Sequence, residues 1–376
     1  MRFQLLTSFS QLKGRHWWFS IILWIILVTP AQAAMQLRVA IAQGVSQVKI
    51  GSSTKAVVRD YNTNEVLGEI AAMNAFYAQP SADGVALDQM NSGAMWVEPS
   101  GEGYVYIGDR WYRGKTLVAP TGNSLTAINY VDLEQYLYSV LGSEMNGNWP
   151  LEALKAQAVA ARTYAIYKRQ ESSGGVYDVV NTQASQVYNG IEKESPGTYA
   201  AVQATAGQVL TYNNQVILSV FHACSGGHTE NVEDVWSEAL PYLRGVPDFD
   251  QNVSACQWQT TFSPEELNRR ISGVGTVTSL TPTLTPYGSI KTLQVVGDKG
   301  TRQLKGEEVR NVLGLKSTRF TITQDPVGVR FDGRGWGHSL GMSQWGAYNL
   351  AQRGIKYQQI LQHYYQGTKL AKMQVR

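Results

Sequence analysis

Glu144 is the first residue in this sequence suited to acid chemistry. It lies in Ser143-Glu-Met-Asn-Gly-Asn-Trp149, with the apolar Met145 and Trp149 near it. A carboxyl against apolar walls has its neutral form favoured, so its pKa rises. Such a group can donate a proton to a glycosidic oxygen. By spacing alone it reads rather as a solvated loop glutamate, the commoner fate of that residue. A second cluster is His222-Ala-Cys-Ser-Gly-Gly-His-Thr-Glu230. Two histidines and a cysteine can bind zinc. They can also be a disulfide cysteine and two hydrogen-bonding imidazoles, and no fourth ligand stands at a familiar zinc spacing. The third cluster runs from Gly333 to Ala347, through Trp336, His338, Gln344 and Trp345. Its glycines let backbone approach a ligand or another strand closely. Its aromatic rings suit a sugar face, or simply a packed turn. It lacks the Lys-Ser/Thr ending of a phosphate-binding loop. A Ser-His-acid triad through Ser225 lacks the Gly-x-Ser-x-Gly elbow.

These residues need a frame. Asp132 can cap a helix, with Gln135 at the reciprocal capping-box position. Leu133, Tyr136, Leu137 and Val140 follow at helical spacing. Gly142 predicts the helix end, which puts Glu144 in a polar loop. Pro150 suits the first turn of a second helix, whose slim buried face is Leu154, Ala158, Ala161 and Ala165. Gln157 and Arg162 lie about 140° apart around its axis, so both can flank a cleft without sharing a stripe. Ala200 to Ala206 reads as a short helix. Gln208 to Tyr212 and Gln215 to Phe221 read as a hairpin turning at Asn213-Asn214. Ser263 and Pro264 start a helix that runs to Ile271. Glu307 to Leu313, Ser343 to Arg353 (stopped by Gly354) and Tyr357 to Tyr365 are further helices. Residues 36 to 120 read as β-rich, with Leu37-Arg-Val-Ala-Ile-Ala alternating and short strands at Val48, Ala56 and Tyr104. That region carries no visible chemistry. The fold class is α+β, with helices and antiparallel strands around a cleft and an N-terminal β-rich region.

The chain has 376 residues, 43% of them hydrophobic, enough for a sizeable core. Residues 1–33 have the layout of a secretory signal peptide: a basic start at Arg2, Lys13 and Arg15, an apolar run from Trp17 to Val28, and Ala31-Gln-Ala33 for cleavage. The other reading is a retained anchor, for which the apolar run is short against the roughly 20 residues of a span. Either way the body lies outside the cytoplasmic membrane, and membrane contact comes only through this segment. It holds three of the 32 basic residues and no acidic one, so the remainder balances at 29 basic against 29 acidic. No basic tract points to nucleic acid. Cys224 and Cys256 are the two cysteines, and in an exported chain they permit one disulfide.

The motifs taken in order resemble the SpoIID/LytB family, the stage II sporulation protein D type. They are Val131-Asp-Leu-Glu-Gln-Tyr-Leu-Tyr-Ser-Val-Leu-Gly-Ser-Glu-Met145, Trp149-Pro-Leu-Glu-Ala-Leu-Lys-Ala-Gln-Ala-Val-Ala-Ala-Arg-Thr-Tyr-Ala165 and Ser185-Gln-Val-Tyr-Asn-Gly190. Phe221 to Glu230, Pro241-Tyr-Leu243 and Gly333 to Ala347 come next. The resemblance covers residues 121–370 and not the β-rich stretch before it. It implies an exported, peptidoglycan-remodelling lytic transglycosylase that cuts denuded glycan strands between N-acetylmuramic acid and N-acetylglucosamine. Glu144 lands on the family's catalytic glutamate and Arg162 on its arginine. The implied substrate cleft takes in Arg162, Gln186, Tyr188, Ser225, Gly226, His228, Thr229, His338, Gln344 and Trp345. Some relatives look instead like glycan-binding proteins that stimulate a cell-wall amidase. Some members carry a Cys/His zinc site just before the Gln-Val-Tyr segment. Here Asp178 to Ser185 has neither residue, so no metal or other cofactor is expected, and Cys224 is read as the disulfide partner of Cys256. Ser339 stands where the family commonly has glycine.

Overall fold

Alternating apolar residues build the first layer. The computed structural model describes residues 35–236, 238–325 and 328–373, so the expected signal segment 1–33 lies outside the described residues. Seven strands form one sheet, in the order Val179–Val180, Gln36–Val45, Ser124–Asp132, Lys115–Thr121, Met95–Pro99, Ala56–Asp60 and Val66–Ile70. A six-stranded antiparallel sheet from residues 48–112 packs on it. Ile50, Ala78 and Leu87 of this sheet, and Val58, Met95 and Val118 of the other, are fully buried. The domain boundary expected near 120 falls inside a hairpin, because Lys115–Thr121 pairs with Ser124–Asp132. The latter strand also pairs with Gln36–Val45. The β-rich stretch is therefore continuous with the helical part of the chain, and Gln36–Met373 is one unit.

The strand ending at Asp132 feeds straight into helix α1 (Leu133–Glu144). The Asp132 carboxylate accepts from the N–H groups of Glu134 and Gln135, as the cap requires. The expected stop at Gly142 does not occur. The helix runs on to Glu144, and Gly142 instead makes room for the Lys193 carbonyl, whose oxygen would lie 1.7 Å from an added Cβ. Glu144 thus ends a helix rather than riding in a loop. Helix α2 (Leu151–Glu171) follows Pro150 and is the central rod of the molecule. Its buried surface is not a slim face: every residue from Ala156 to Ile166 is buried. Helix α3 (Pro196–Ala204) starts earlier than expected, capped by Ser195. The hairpin turns at Asn213 and Asn214, both with positive φ, though its second strand ends at Val216.

A very short helix, α4 (Val232–Val235), precedes a mixed C-terminal region. There α5 (Pro264–Arg270) and α6 (Gly306–Leu313) pack with two three-stranded sheets. Leu267, Leu293, Val309 and Phe331 lie in that core. Ser263 caps α5 as expected. The chain closes with α7 (Gln344–Gln352), capped by Ser343, and α8 (Tyr357–Tyr364). Both pack on α2 around Leu340, Ala347, Ile360 and Leu361. No helix among the described residues is long and apolar enough to cross a membrane. Cys224 and Cys256 form a disulfide with Cα atoms 6.1 Å apart. It links the His222–Glu230 segment to the strand Gln257–Phe262.

Two buried polar residues bear on the stability of this frame in opposite ways. Arg162 is completely buried. Its Nε and Nη2 donate to the Glu134 carboxylate at 2.8 and 2.6 Å, and Nη1 donates to the Gln208 carbonyl at 3.1 Å. It joins α1, α2 and the strand at Gln208, and it does not reach a cleft wall as expected. Gln157, expected beside it at a cleft, is also fully buried. Arg162→Ala removes packing and leaves buried carbonyls without donors, so we expect a loss of about 3–5 kcal/mol in urea unfolding. Ser339 sits at φ +61° and is fully buried, and its Oγ has no partner among the described residues. Both features disfavour serine over glycine there. Ser339→Gly should therefore raise stability by about 1 kcal/mol, read by the same unfolding measurement.

Candidate active site

Glu144 faces a cleft of about 790 Å³. Its position follows from three elements. Helix α1 delivers it as a terminal residue. The N–H of Val187 donates to Oε1 at 3.1 Å. Nε2 of Gln344, first residue of α7, donates to Oε2 at 3.5 Å. Burial pushes the carboxyl pKa up, and the bonds from Val187 and Gln344 offset part of that rise.

The segment around Val187 explains why its neighbours stand back from the cleft. Gln186 and Tyr188 are both buried. The Gln186 side chain accepts from the Tyr136 hydroxyl at 3.2 Å and donates to the Ala161 carbonyl at 3.2 Å. The Tyr188 hydroxyl donates to Asn129 Oδ1 at 3.0 Å. They anchor the segment, and Val187 between them meets the acid. Both were expected to touch substrate; their polar atoms are engaged within the protein instead.

Two imidazoles lie deeper in the cleft wall, with ring centroids 5.4 Å apart. His222 Nδ1 donates to the Leu340 carbonyl at 3.0 Å. His338 Nδ1 accepts from the Leu340 N–H at 3.0 Å. Burial holds both below the usual histidine range, and for His338 the charges of His222 and Arg310 push the same way. Both rings are therefore neutral near pH 7.

The cleft mouth carries features that the sequence reading missed. Trp336, already singled out, is 49% exposed, and Trp236 joins it at 41%. Lys168, Arg310 and Lys316 also line the cleft. Lys168 pairs with Glu171 and Arg310 with Glu307. Lys316 Nζ lies 4.5 Å from the centre of the Trp336 ring and has no carboxylate partner among the described residues. Glu144 is the one carboxylate among the lining residues. Three cations face one acid in a chain whose body is balanced in charge. No local pattern announces this, because the cations come from α2, α6 and the loop after α6.

Other expected contacts lie elsewhere. The N–H groups of Ser225 and Gly226 donate to Asp250 Oδ2, and the Ser225 hydroxyl donates to Asp248 Oδ2 at 2.6 Å. Burial and the Asp248 charge push the Asp250 carboxyl up. Thr229 Oγ1 accepts from the Val246 N–H at 2.8 Å. His228 stacks on Tyr287 at 4.0 Å. Ser225 and Thr229 are buried and Gly226 and His228 partly so, and none of the four lines the Glu144 cleft. Ser225 is bonded to aspartates and not to a histidine, which removes the triad arrangement. Cys224 is spent in the disulfide, and His222 and His228 engage different partners, so the zinc reading of that cluster loses its donors. Trp345 packs against Trp149 at 4.6 Å and Tyr348 at 5.3 Å rather than lining the cleft. Of the expected contacts, His338 and Gln344 join Glu144 there.

A family described as "Stage II sporulation protein" matches residues 121–212, which hold Glu144, Arg162 and Val187. A "Domain of unknown function (DUF8618)" matches residues 248–341, which hold Arg310, Lys316, Trp336 and His338. The cleft draws on both segments. An uncharacterized protein of Brachyspira hyodysenteriae is 36% identical over 276 residues, 72% of this chain and 74% of the relative. An amidase enhancer of Bacillus subtilis is 31% identical over 290 residues, 62% of this chain and 40% of the relative. The stage II sporulation protein D of Bacillus subtilis is 34% identical over 270 residues, 65% of this chain and 76% of the relative. With that identity across three quarters of such a relative, this chain belongs to the stage II sporulation protein D family.

Proposed function

We propose that this protein is an exported peptidoglycan-remodelling enzyme, a lytic transglycosylase acting on denuded glycan strands. The observation that carries this reading is Glu144: a lone carboxyl with raised pKa, held by two hydrogen bonds in a cleft flanked by exposed tryptophans. Protonated Glu144 donates to the oxygen that links N-acetylmuramic acid C1 to N-acetylglucosamine. The C1–O bond breaks with oxocarbenium character at C1. The muramyl 6-hydroxyl bonds to C1 and returns its proton to the Glu144 carboxylate. The product is a 1,6-anhydro sugar and no water is consumed. Trp236 and Trp336 offer faces for sugar rings. Lys168, Arg310 and Lys316 suit the lactyl carboxylate that a muramyl unit exposes once its stem peptide is gone. Export agrees with the disulfide, since such bonds persist in oxidising compartments.

A second reading comes from the amidase enhancer among the relatives. Here the cleft binds glycan without cutting it, and the protein stimulates a cell-wall amidase. Product analysis separates the two. Digestion of denuded strands by the wild type should yield anhydro-ended fragments in mass spectrometry. Glu144→Gln should lower that yield about 100-fold or more, the usual contribution of a general acid. Equal yields from both proteins would sink the assignment, and binding with no fragments would favour the amidase partner.

The pH profile has a defined sign. The raised pKa keeps Glu144 protonated above the ordinary glutamate range, so the rate should fall as pH climbs through that value. Linkage gives the stability trend. A glutamate with raised folded pKa lends stability below its unfolded pKa and loses it as pH rises through the folded one. Glu144→Gln should therefore be at least as stable as wild type at neutral pH, with the gap closing in acid. Thermal melts across pH test this and show that lost activity is not lost folding.

A further inference from the structure

A second cleft, of about 700 Å³, goes unused by the reaction proposed above. Three chain segments run from the first cleft to the second. Phe221 to Ala223, Gly314 to Lys316 and Trp336 to His338 border the Glu144 cleft. Gly226, Arg319 to Thr321 and Asp332 to Arg334 border the second. The backbone between them is laced together. Cys224 and Trp336 exchange N–H···O bonds of 3.2 and 2.7 Å, the Arg334 N–H donates to the Arg319 carbonyl at 2.9 Å, and the Gly337 N–H donates to the Lys316 carbonyl at 2.8 Å. Gly333 and Trp336 are three residues apart, no more than about 10 Å even for fully extended chain, and the chain turns between them at Gly335 (φ +89°). One disaccharide is long enough to bridge that separation.

The second cleft repeats the chemistry of the first. There, Lys316 lies over Trp336. Here, Trp258 is half-buried beside Phe320, and its indole N–H donates to the Gly335 carbonyl at 3.1 Å and to Ser317 Oγ at 3.3 Å. Gly333 makes room for the ring, since an added Cβ would lie 2.1 Å from it. Two of the three lining charges are already engaged. Arg319 pairs with Glu230 at 3.0 Å, and Asp332 pairs with Arg330 at 2.9 Å. Arg334 is exposed and has no carboxylate partner among the described residues. An aromatic face beside an uncompensated guanidinium suits a sugar that carries a carboxylate.

We propose that this cleft is a distal subsite for the same glycan strand. Trp258 packs on a sugar ring, and Arg334 pairs with the lactyl carboxylate of a muramyl unit about one disaccharide from the bond that is cut. This rests on the glycan reading of the Glu144 cleft. It gives the stretch matched by the domain of unknown function a task, because all the lining residues but Gly226 lie within it. It also makes the protein selective for strand length and for charge, since a neutral N-acetylglucosamine polymer offers Arg334 nothing to pair with.

The test is calorimetric binding to the full chain carrying Glu144→Gln, so that no ligand is consumed. The ligands are denuded glycans of one and of four disaccharide units. Adding Arg334→Gln should weaken the longer ligand about five- to tenfold, the loss of one charge-assisted hydrogen bond, and leave the shorter one unchanged. Arg334→Lys should recover part of that loss. Arg334 is exposed, so neither change threatens folding, and circular dichroism checks this. Unchanged affinity for the longer glycan would overturn the subsite and leave the Glu144 reading intact. Equal weakening for both lengths would place Arg334 at the first cleft and also overturn it. A parent protein that binds neither glycan would overturn the glycan reading itself, and the subsite with it.

Discussion

A guanidinium cannot be left uncompensated in a protein interior, and the arrangement around Arg162 follows from that constraint. Its partners come from three elements: the Glu134 carboxylate on α1, the carbonyl of Gln208 at a strand start, and the weaker Val202 carbonyl at 3.4 Å on α3. The Gly207 N–H completes the set by donating to the same Glu134 carboxylate at 3.1 Å. Satisfying one charge thus fixes α1 against α2. Glu144 lies ten residues further along α1, about 15 Å at helical rise. A rigid helix carries the lock at Glu134 to the acid at the other end. A residue far from the cleft thereby positions the group inside it.

The cleft applies the opposite logic to its own charges. Glu144 receives two hydrogen bonds, enough to orient it but not enough to cancel the effect of burial. The two neighbouring imidazoles are kept neutral by burial, so they add no positive charge that would hold the carboxyl ionised. The three cations line the same cleft, and Arg310 among them helps to keep the two imidazoles neutral. The disulfide secures the wall between the two clefts, because Cys224 exchanges backbone bonds with Trp336 while Cys256 accepts from Gly335 at 2.7 Å.

Local signals in the chain were legible where their physics is local. The caps at Asp132, Ser263 and Ser343 satisfy the nearest free N–H groups, so a polar side chain before an apolar period is sufficient notice. The turn at Asn213-Asn214 needs positive φ at both positions, and asparagine tolerates it. Gly142 misled because its role is long-range. It accommodates the Lys193 carbonyl, and a glycine kept for close approach looks identical in sequence to one kept for a left-handed turn. The change near 120 is of a different kind: composition shifts and the family match begins there, while strand pairing runs straight across it.

The sequence by itself determined the α+β character and the single possible cysteine pairing, and its motif order singled out Glu144 among 29 acidic residues as the candidate acid. Motif order also drew Arg162, Gln186, Tyr188 and the Ser225–Thr229 segment toward a substrate cleft. Only the tertiary structure decided that none of them lines the Glu144 cleft, with Gly226 bordering the second cleft instead. The difference is one of direction. A motif says that residues occur together, whereas contact with a ligand depends on which way each side chain points and what already satisfies its polar atoms. Gln186 and Val187 are adjacent in the chain, yet one is bonded to a helix carbonyl and the other to the acid. The cations at the mouth show the reverse case: Lys168, Arg310 and Lys316 share no motif, and only folding brings them to one opening.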